Sequence, residues 1–308
     1  MLNETKIQDT FVLDDDSFLI PNVPHKIEFT KAQLPQSTED MKSLVDKMKK
    51  FQELVRGTLI NTFEELEPWY VDSYKKVENK VFCVGPVSLC NKGMDEIVDN
   101  RGNKAYVDED NNCLNWLDSM KPKLVIYACF GSLCQISLLQ MKEIGLGLES
   151  SNVPFIWIIR GLNFTLEVEK WLRDENFEER VKGRGMIIRE GISRGVPMAI
   201  FPMFAEQFYN EKFIINILKT GVRVDVEVST TSWNEEKSGV LISKDQVKKA
   251  IDQLMDQGLE GKERRKIAKD LAHISMKAIQ EEGFSYLNIK LLIEDVMHLL
   301  KNKEETSD

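Results

Sequence analysis

Two stretches of the chain place polar residues directly after an apolar run, where a strand would meet a helix. Phe130-Gly131-Ser132 closes the run LVIYACF, and Glu206-Gln207 follows the run VPMAIFPMF. A glycine lets a phosphate approach the backbone and a serine adds a hydroxyl group, whereas a carboxylate beside an amide can bind the vicinal hydroxyls of a sugar. A turn at Ser132 and a helix dipole complemented by Glu206 explain the same residues without a ligand. From the residues alone, both interpretations stay open.

A third stretch, residues 191–195 with the sequence GISRG, matches the G-x-S-x-G nucleophile elbow of serine hydrolases. The elbow needs a helix directly after its serine, but Val196-Pro197 and an apolar run typical of a strand follow Ser193 here. The downstream histidines, His273 and His298, lie in helical patterns typical of surface or packing residues. A serine hydrolase using Ser193 is therefore the least favoured hypothesis.

The elements that would position these residues alternate along the second half of the chain. Five apolar runs predict strands: LVIYACF, PFIWIIR, GMIIR, VPMAIF and GVRVDV. Amphipathic patterns predict helices near residues 137–149, 171–181, 206–218, 243–256, 260–281 and 285–301. Continuous apolar strands alternating with helices predict a parallel α/β sheet covered on both faces. Ligands bind such sheets at the carboxyl ends of the strands, where Ser132 and Glu206 are expected.

One step interrupts this alternation. GMIIR ends at Arg189 and VPMAIF begins at Val196, so that only Glu190 to Gly195 separate them. Two parallel neighbouring strands need a connection of about a dozen residues or more, usually a helix. Either these two strands pair antiparallel through a tight loop, or a segment is missing between them.

The first half of the chain predicts a smaller α/β region followed by a linker. A helical pattern at 38–56, the strand TLINTF, a helix at 64–77 and the strand VFCVGPVSL precede a polar stretch without periodicity. We therefore predict an N-terminal domain at 1–90, an interdomain linker at 91–112 and a C-terminal domain at 113–308.

Composition argues against several kinds of partner. The net charge is −9, and the basic patches KMKK and GKERRK have acidic neighbours, so we expect no nucleic-acid binding. Five cysteines without a C-x-x-C pair and three histidines predict no metal site. No apolar run reaches the roughly 18 residues of a membrane span, and the first twenty residues are unlike a secretory signal. A cytoplasmic protein is the resulting expectation.

The order of the segments resembles the plant family 1 UDP-glycosyltransferases from about Asp9 to His298. The matching stretches are IEFTKAQLP, LINTFEELEPWY, VGPVSL, CLNWLDS, YACFGSL, GLESSNVPFIWIIR, FEERVKGRGMIIR, GVPMAIFPMFAEQFYNEKF and GVRVDV. The resemblance, nearest to the flavonoid, abscisate and triterpenoid glucosyltransferases, implies a GT-B fold of two facing Rossmann-like domains. It implies transfer of a hexose, expected to be glucose, from a UDP-sugar co-substrate to a small lipophilic acceptor, with inversion and without a cofactor or metal.

The resemblance also assigns roles to four residues. Ser132 matches the serine that contacts the donor phosphates, and Glu190 matches the glutamate that holds the ribose. Glu206 and Gln207 match the acidic residue and glutamine that hold the sugar hydroxyls. These four residues form the predicted donor-binding set.

Two departures from the family are visible in the sequence. Between positions matching Arg189 and Glu190, the family has a W-x-P-Q loop, a helix, a strand and an H-C-G-W-N-S turn, which supply the uracil-stacking tryptophan and phosphate ligands. The family's first strands, with the general-base histidine and its aspartate, have no match either, and His25 is not a substitute. We therefore predict no catalytic residue in this chain.

These departures define the expected fold and activity. We expect an incomplete N-terminal Rossmann-like domain and a C-terminal one that lacks a strand–helix unit, with the last helix packing back on the N-terminal part. We predict that the chain does not turn over. The alternative hypothesis is a non-catalytic remnant that binds a small ligand or a full-length relative.

Overall fold

A computed structural model describes residues 17–20, 23–34, 43, 46–47, 50–51, 54–78, 80–89, 115–121, 124–130, 136–159, 165–188, 198–204, 206–229 and 241–305. The predicted linker at 91–112 lies outside these residues, as does most of the predicted helix at 38–56. The chain divides into two compact units. Unit 1 combines residues 1–18, 28–36 and 103–267, and unit 2 combines residues 19–27, 37–102 and 268–308.

Strands and helices alternate through most of the described residues. The strands are β1 (Ser17–Leu19), β2 (Glu28–Thr30), β3 (Thr58–Ile60), β4 (Val81–Cys83), β5 (Ile126–Cys129), β6 (Phe155–Ile158), β7 (Gly185–Ile188), β8 (Met198–Ile200) and β9 (Gly221–Arg223). The α-helices are α1 (Pro68–Lys75), α2 (Leu138–Ser150), α3 (Leu166–Asp174), α4 (Phe177–Arg180), α5 (Gln207–Lys212), α6 (Lys244–Leu254), α7 (Leu259–Ala278) and α8 (Phe284–Glu305). A π-helix, Phe213–Ile217, continues α5.

The larger sheet of unit 1 is parallel, as the apolar runs predicted. Its strand order is β5-β6-β7, with Ile126 opposite Phe155 and Phe155 opposite Gly185. All four residues of the central strand β6 are buried. A strand buried on both faces needs apolar side chains throughout, which is why FIWI has no polar alternation.

Helix α2 connects β5 to β6 and packs closely on its surroundings. The Ser137 hydroxyl caps the helix by accepting a hydrogen bond from the Gln140 N–H. Two glycines then permit close approach, because a Cβ at Gly145 would lie 2.9 Å from the rings of Trp157 and Trp171. A Cβ at Gly147 would lie 2.5 Å from Val247 of α6, so α2 and α6 pack at short range.

The second connection in this sheet, from β6 to β7, differs from the sequence prediction. The predicted helix at 171–181 is two helices, α3 and α4. Asn176, between them, adopts a left-handed conformation with φ of 49°, a conformation that asparagine tolerates better than most residues. Trp171 and Phe177, one on each side of this break, lie in ring contact at 5.3 Å and fill the core beside Trp157.

The strands β8 and β9 form a separate parallel pair in unit 1. Met198 lies opposite Gly221, and α5 with its π-helical extension makes the connection. In the described residues, β7 pairs with β6 and β8 pairs with β9. The hypothesis of an antiparallel pair between β7 and β8 is therefore wrong. Helix α6 packs on both β8 and β9.

Unit 2 contains the parallel pair β3-β4, covered by two helices. Proline opens α1 at its first position, and Val71 of α1 packs with Val81 and Cys83 of β4. Burial raises the pKa of the Cys83 thiol to about 11. Helix α8 packs on β4, and its Ser285 Oγ donates a hydrogen bond to the carbonyl of Gly85 at 2.6 Å.

Candidate functional site

The carboxyl ends of β5 and β8 meet in unit 1. Phe130 directly follows β5 and Phe201 directly follows β8, and their rings contact edge to face with centroids 5.5 Å apart. Glu206 and Gln207 stand five and six residues beyond Phe201, at the start of α5. Phe130 and Phe201 therefore lie at the carboxyl ends of the strands, where the sequence predicted ligand binding.

Glu206 and Gln207 open α5 in different environments. Glu206 is exposed and occupies the N-cap position, but its side chain does not cap the helix. The Gln207 Oε1 accepts a hydrogen bond of 2.8 Å from the backbone N–H of Met203. This bond ties the start of α5 to the segment that follows β8 and uses the carbonyl oxygen of the Gln207 amide, not its N–H groups. An exposed carboxylate beside amide donors can bind vicinal hydroxyl groups.

The two other predicted donor-binding residues, Ser132 and Glu190, lie outside the residues that the structure describes. Their assignments stay predictions, as does the hydrolase hypothesis, because Ser193 also lies outside them. His25 belongs to unit 2, where its Nδ1 lies 3.1 Å from the Tyr70 hydroxyl and its ring contacts Trp69 at 5.1 Å.

Buried charged residues anchor α5 behind this edge, and sequence reasoning missed them. Glu211 has no exposed side-chain surface, and its Oε2 accepts a bond of 3.1 Å from Arg223 of β9. Burial raises the pKa of the Glu211 carboxyl, an effect that Arg223 only partly offsets. Helical spacing places Glu211 on the same face as Phe208 and Ile214, and this signal was overlooked because the residues next to it, Asn210 and Lys212, are polar.

The segment around β2 packs on the same helix. The Phe29 ring contacts the Tyr209 ring at 4.5 Å and lies under the Lys212 ammonium group at 4.8 Å. Burial raises the pKa of Tyr209 to about 12 and lowers the pKa of Lys212. The residues in contact are about 180 positions apart in the sequence. No local sequence pattern could have predicted contacts over this distance.

In the described residues, β5 pairs with β6 only and β8 pairs with β9 only. β6 is fully buried, but Tyr127 of β5 is 37% exposed and Met198 of β8 is 44% exposed. Doubly wound sheets commonly have the strand order 3-2-1-4-5-6. The order β7-β6-β5 corresponds to positions 3-2-1 of this arrangement, whereas β8-β9 is a separate pair in the described residues. Dinucleotides bind such sheets where the strand order reverses, beside the strand at position 1.

The described residues contain no group of three histidine, cysteine, aspartate or glutamate side chains that could hold a metal ion. Within the same residues, no helix has the length and apolar character needed to cross a bilayer.

Similar proteins identify the class of this fold and its family. No family model matches the chain. The crystal structure of Glycyrrhiza uralensis UGT73P12 complexed with glycyrrhetinic acid 3-O-monoglucuronide matches with a TM-score of 0.87 and 32% identity, covering 97% of this chain and 66% of that chain. The fold is therefore of the GT-B glycosyltransferase type.

Curated relatives then give the family. UDP-glycosyltransferase 73C4 of Solanum lycopersicum is 43% identical over 94% of this chain and 92% of its own length. UDP-glycosyltransferase 73C3 of Arabidopsis thaliana is 42% identical over 94% of this chain and 64% of its own length. The chain belongs to the plant UDP-glycosyltransferase family, and it spans about two thirds of the length of most of the relatives it matches.

The alignment with the Arabidopsis relative also contains an internal difference. It runs over 323 residues, whereas 94% of 308 residues is about 290, so about 30 aligned positions have no counterpart in this chain. A βαβ unit has about 30 residues. The unmatched positions are therefore about as many as one such unit contains.

Proposed function

We propose that this protein derives from an enzyme that transfers a hexose, in the first instance glucose, from a UDP-sugar to a small lipophilic plant acceptor, and that these 308 residues do not perform the transfer by themselves. The observation that carries the proposal is that β5 and β8 lie in separate sheets in the described residues of a chain that belongs to this family. We place the absent strand between them, next to the point of the sheet where nucleotides bind.

Part of the donor site is retained in this proposal. Glu206 and Gln207 would hold the sugar hydroxyls, because they open a helix at the carboxyl edge of the sheet and present a carboxylate and amide donors. Ser132, two residues after Phe130, would contact the phosphates, and Glu190 would hold the ribose. The retained residues would therefore contact the sugar end of the donor more than its uracil end.

The missing part would account for the loss of activity. By resemblance, the tryptophan that stacks on uracil and the ligands of the phosphates belong to the segment absent at the Arg189–Glu190 junction. Removing one preorganised donor to a developing negative charge costs about 10²–10³ in rate. Loss of several phosphate ligands at once would leave no measurable transfer above the background.

We also propose the cytoplasm as the compartment. Burial with a raised pKa makes the Cys83 thiol an unreactive core residue, and the five cysteines include no C-x-x-C pair. A reduced, buried thiol of this kind is typical of cytosolic proteins.

Restoring the missing unit tests the proposal. The segment of the Arabidopsis relative that aligns with the gap is inserted between Arg189 and Glu190, and a glycine–serine linker of equal length is inserted in a control chain. UDP binding is measured by isothermal titration calorimetry, and sugar transfer to a panel of flavonoid and triterpenoid acceptors by mass spectrometry. We expect saturable UDP binding only in the restored chain, and weaker binding of UDP-glucose, but not of UDP, when Glu206→Ala is added to it.

Two results would contradict the proposal in different ways. Sugar transfer by the unaltered chain would show that the missing unit is dispensable. A restored chain that is folded by circular dichroism yet does not bind UDP would show that the donor site is wrongly assigned.

A further inference from the structure

A short segment around β2, residues 28–34, belongs to unit 1, although the residues before and after it in the sequence belong to unit 2. We call it the β2 segment. Its Phe29 side chain is only 1% exposed. The Ala32 carbonyl accepts a hydrogen bond of 2.7 Å from the N–H of Ser229, which follows β9. These contacts hold a segment from the first part of the chain in a unit built mainly from the second part.

Phe29 attaches the β2 segment to α5. Its ring contacts the Tyr209 ring at 4.5 Å, and the Lys212 ammonium group lies over the same ring at 4.8 Å. Tyr209 and Lys212 are three residues apart and therefore lie on one face of the helix. Ring pairs and cation–π contacts have preferred geometries, so one side chain constrains the direction of this helix more than an aliphatic contact would.

Tyr209 is held by its ring and not by its hydroxyl group. The hydroxyl oxygen is buried and has no hydrogen-bond partner among the described residues. A buried polar group without a partner lowers stability. The position therefore uses the aromatic ring of the tyrosine, and a phenylalanine would make the same contact with Phe29.

The contact lies one helical turn from the predicted sugar-binding residues. Glu206 precedes Tyr209 by three residues, and an α-helix rises about 5.4 Å per turn. Because the Glu206 side chain does not cap α5, the side chains that pack on the helix have to set its direction. After Lys212 the helix becomes π-helical over Phe213–Ile217, and π-helical turns are rare and frequent at functional sites. The short α-helical part is therefore held at the residues that Phe29 contacts.

Ordinary core packing would explain these contacts without a role in binding, and Phe177 provides the comparison. It also belongs to unit 1 and has no exposed surface. Its ring contacts Trp157 and Trp171, and the Arg180 guanidinium group lies over it at 5.4 Å. These partners are of the same kinds as those of Phe29, but they belong to β6, α3 and α4. The two phenylalanines therefore distinguish a positioning effect on α5 from a general effect on stability.

We propose that Phe29 is a positioning residue for the sugar part of the donor. It holds α5 through Tyr209 and Lys212. In turn, α5 places Glu206 and Gln207 against the hydroxyl groups of a hexose. Binding groups must be held within about 0.5 Å of their working geometry, so a small rotation of this short helix is enough to weaken the sugar contacts. This inference rests on the proposed function and adds to its donor site a residue of the β2 segment.

Hydrogen exchange in the 308-residue chain, followed by mass spectrometry, tests the attachment of α5. Phe29→Leu removes the ring but keeps an apolar side chain, and we expect amide exchange in α5 to become about tenfold faster. Phe177→Leu, the matched control, should accelerate exchange in α3 and α4 and leave α5 within about twofold of the unaltered chain. Tyr209→Leu should act like Phe29→Leu and replaces it if that variant expresses poorly. Tyr209→Phe keeps the ring and should preserve the slow exchange of α5.

Donor binding in the restored chain tests the positioning itself. Isothermal titration calorimetry gives the Kd of UDP and the Kd of UDP-glucose, and their ratio isolates the contribution of the sugar. Phe29→Leu should weaken the binding of UDP-glucose about fivefold or more and change the Kd of UDP by less than about twofold. Phe177→Leu should leave the ratio unchanged. A residue with a purely structural role would change both constants together or neither of them.

Three results would overturn the proposal. They are unchanged exchange of α5 in Phe29→Leu, equal acceleration of α5 by Phe29→Leu and Phe177→Leu, and an unchanged ratio of the two Kd values in Phe29→Leu. A restored chain that binds no UDP would overturn the proposed function and this inference together. Faster exchange of α5 in Phe29→Leu would then show that Phe29 holds the helix for packing alone.

Discussion

Replacing Gln140 by leucine tests the hydrogen bonds that join the start of α2 to the segment before α6. Gln140 lies in the first turn of α2 with no exposed surface. Its Oε1 accepts bonds from the N–H groups of Leu241 at 2.8 Å and Ile242 at 3.1 Å, and its Nε2 donates to the Ile242 carbonyl at 2.9 Å. One amide therefore satisfies three backbone groups in the segment that leads into α6.

The leucine variant keeps most of the side-chain volume but none of these bonds. A buried polar group without a partner costs about 1–3 kcal/mol, and the Leu241 N–H is only partly buried, so we expect the free energy of unfolding to fall by about 3–5 kcal/mol. Urea denaturation followed by tryptophan fluorescence measures the change, because Trp157 and Trp171 lie in the core that α2 covers.

The matched control is Gln253→Leu, the same substitution at an exposed position of α6. We expect the control to change stability by about 0.5 kcal/mol or less. A loss below about 1 kcal/mol in Gln140→Leu would refute the reasoning, since it would mean that water or a shifted backbone satisfies all three groups.

Two further changes test buried features of unit 1. Burial raises the pKa of Glu211, so its contribution to stability is fully present below the carboxyl pKa of the unfolded chain and is lost as the pH rises through the folded-state pKa. The stability of Glu211→Gln relative to the unaltered chain should therefore rise between pH 4 and pH 7 in urea titrations. A stability difference that is constant with pH would contradict this. Gly147→Ala should lower the free energy of unfolding by about 1–3 kcal/mol, because the added methyl group would overlap Val247. In a helix without this overlap, the same change normally adds about 1 kcal/mol of stability. A higher Tm of the variant would show that α6 moves away at little cost.

The predictable parts of unit 1 are those that local patterns determine. Five apolar runs predicted β5 to β9, and the serine at 137 correctly marked the start of α2. The short connection after Arg189 was too short for an ordinary parallel crossover, and in the described residues β7 and β8 belong to different sheets. A run length and a connection length are both local quantities, which is why the sequence was sufficient for them.

The parts that could not be predicted depend on distant contacts. Glu211 pairs with Arg223, 12 residues further along the chain and on the next strand, and Tyr209 of the same helix contacts Phe29 from the opposite end of the chain. The end of α3 follows from a single left-handed residue, Asn176, inside an otherwise continuous amphipathic pattern. Propensity alone does not distinguish such a residue from an ordinary helical asparagine.

The way in which unit 2 is divided along the chain has a consequence for biosynthesis. Ser285 of α8 is synthesised 200 residues after Gly85, its hydrogen-bond partner. At about 5–20 residues per second, β3 and β4 leave the ribosome about 10–40 s before the helix that covers them. Residues 103–267 of unit 1 are contiguous and can fold during this interval. The β3-β4 pair has α1 but not α8 to pack on during this interval, so unit 2 can be completed only after translation has almost ended.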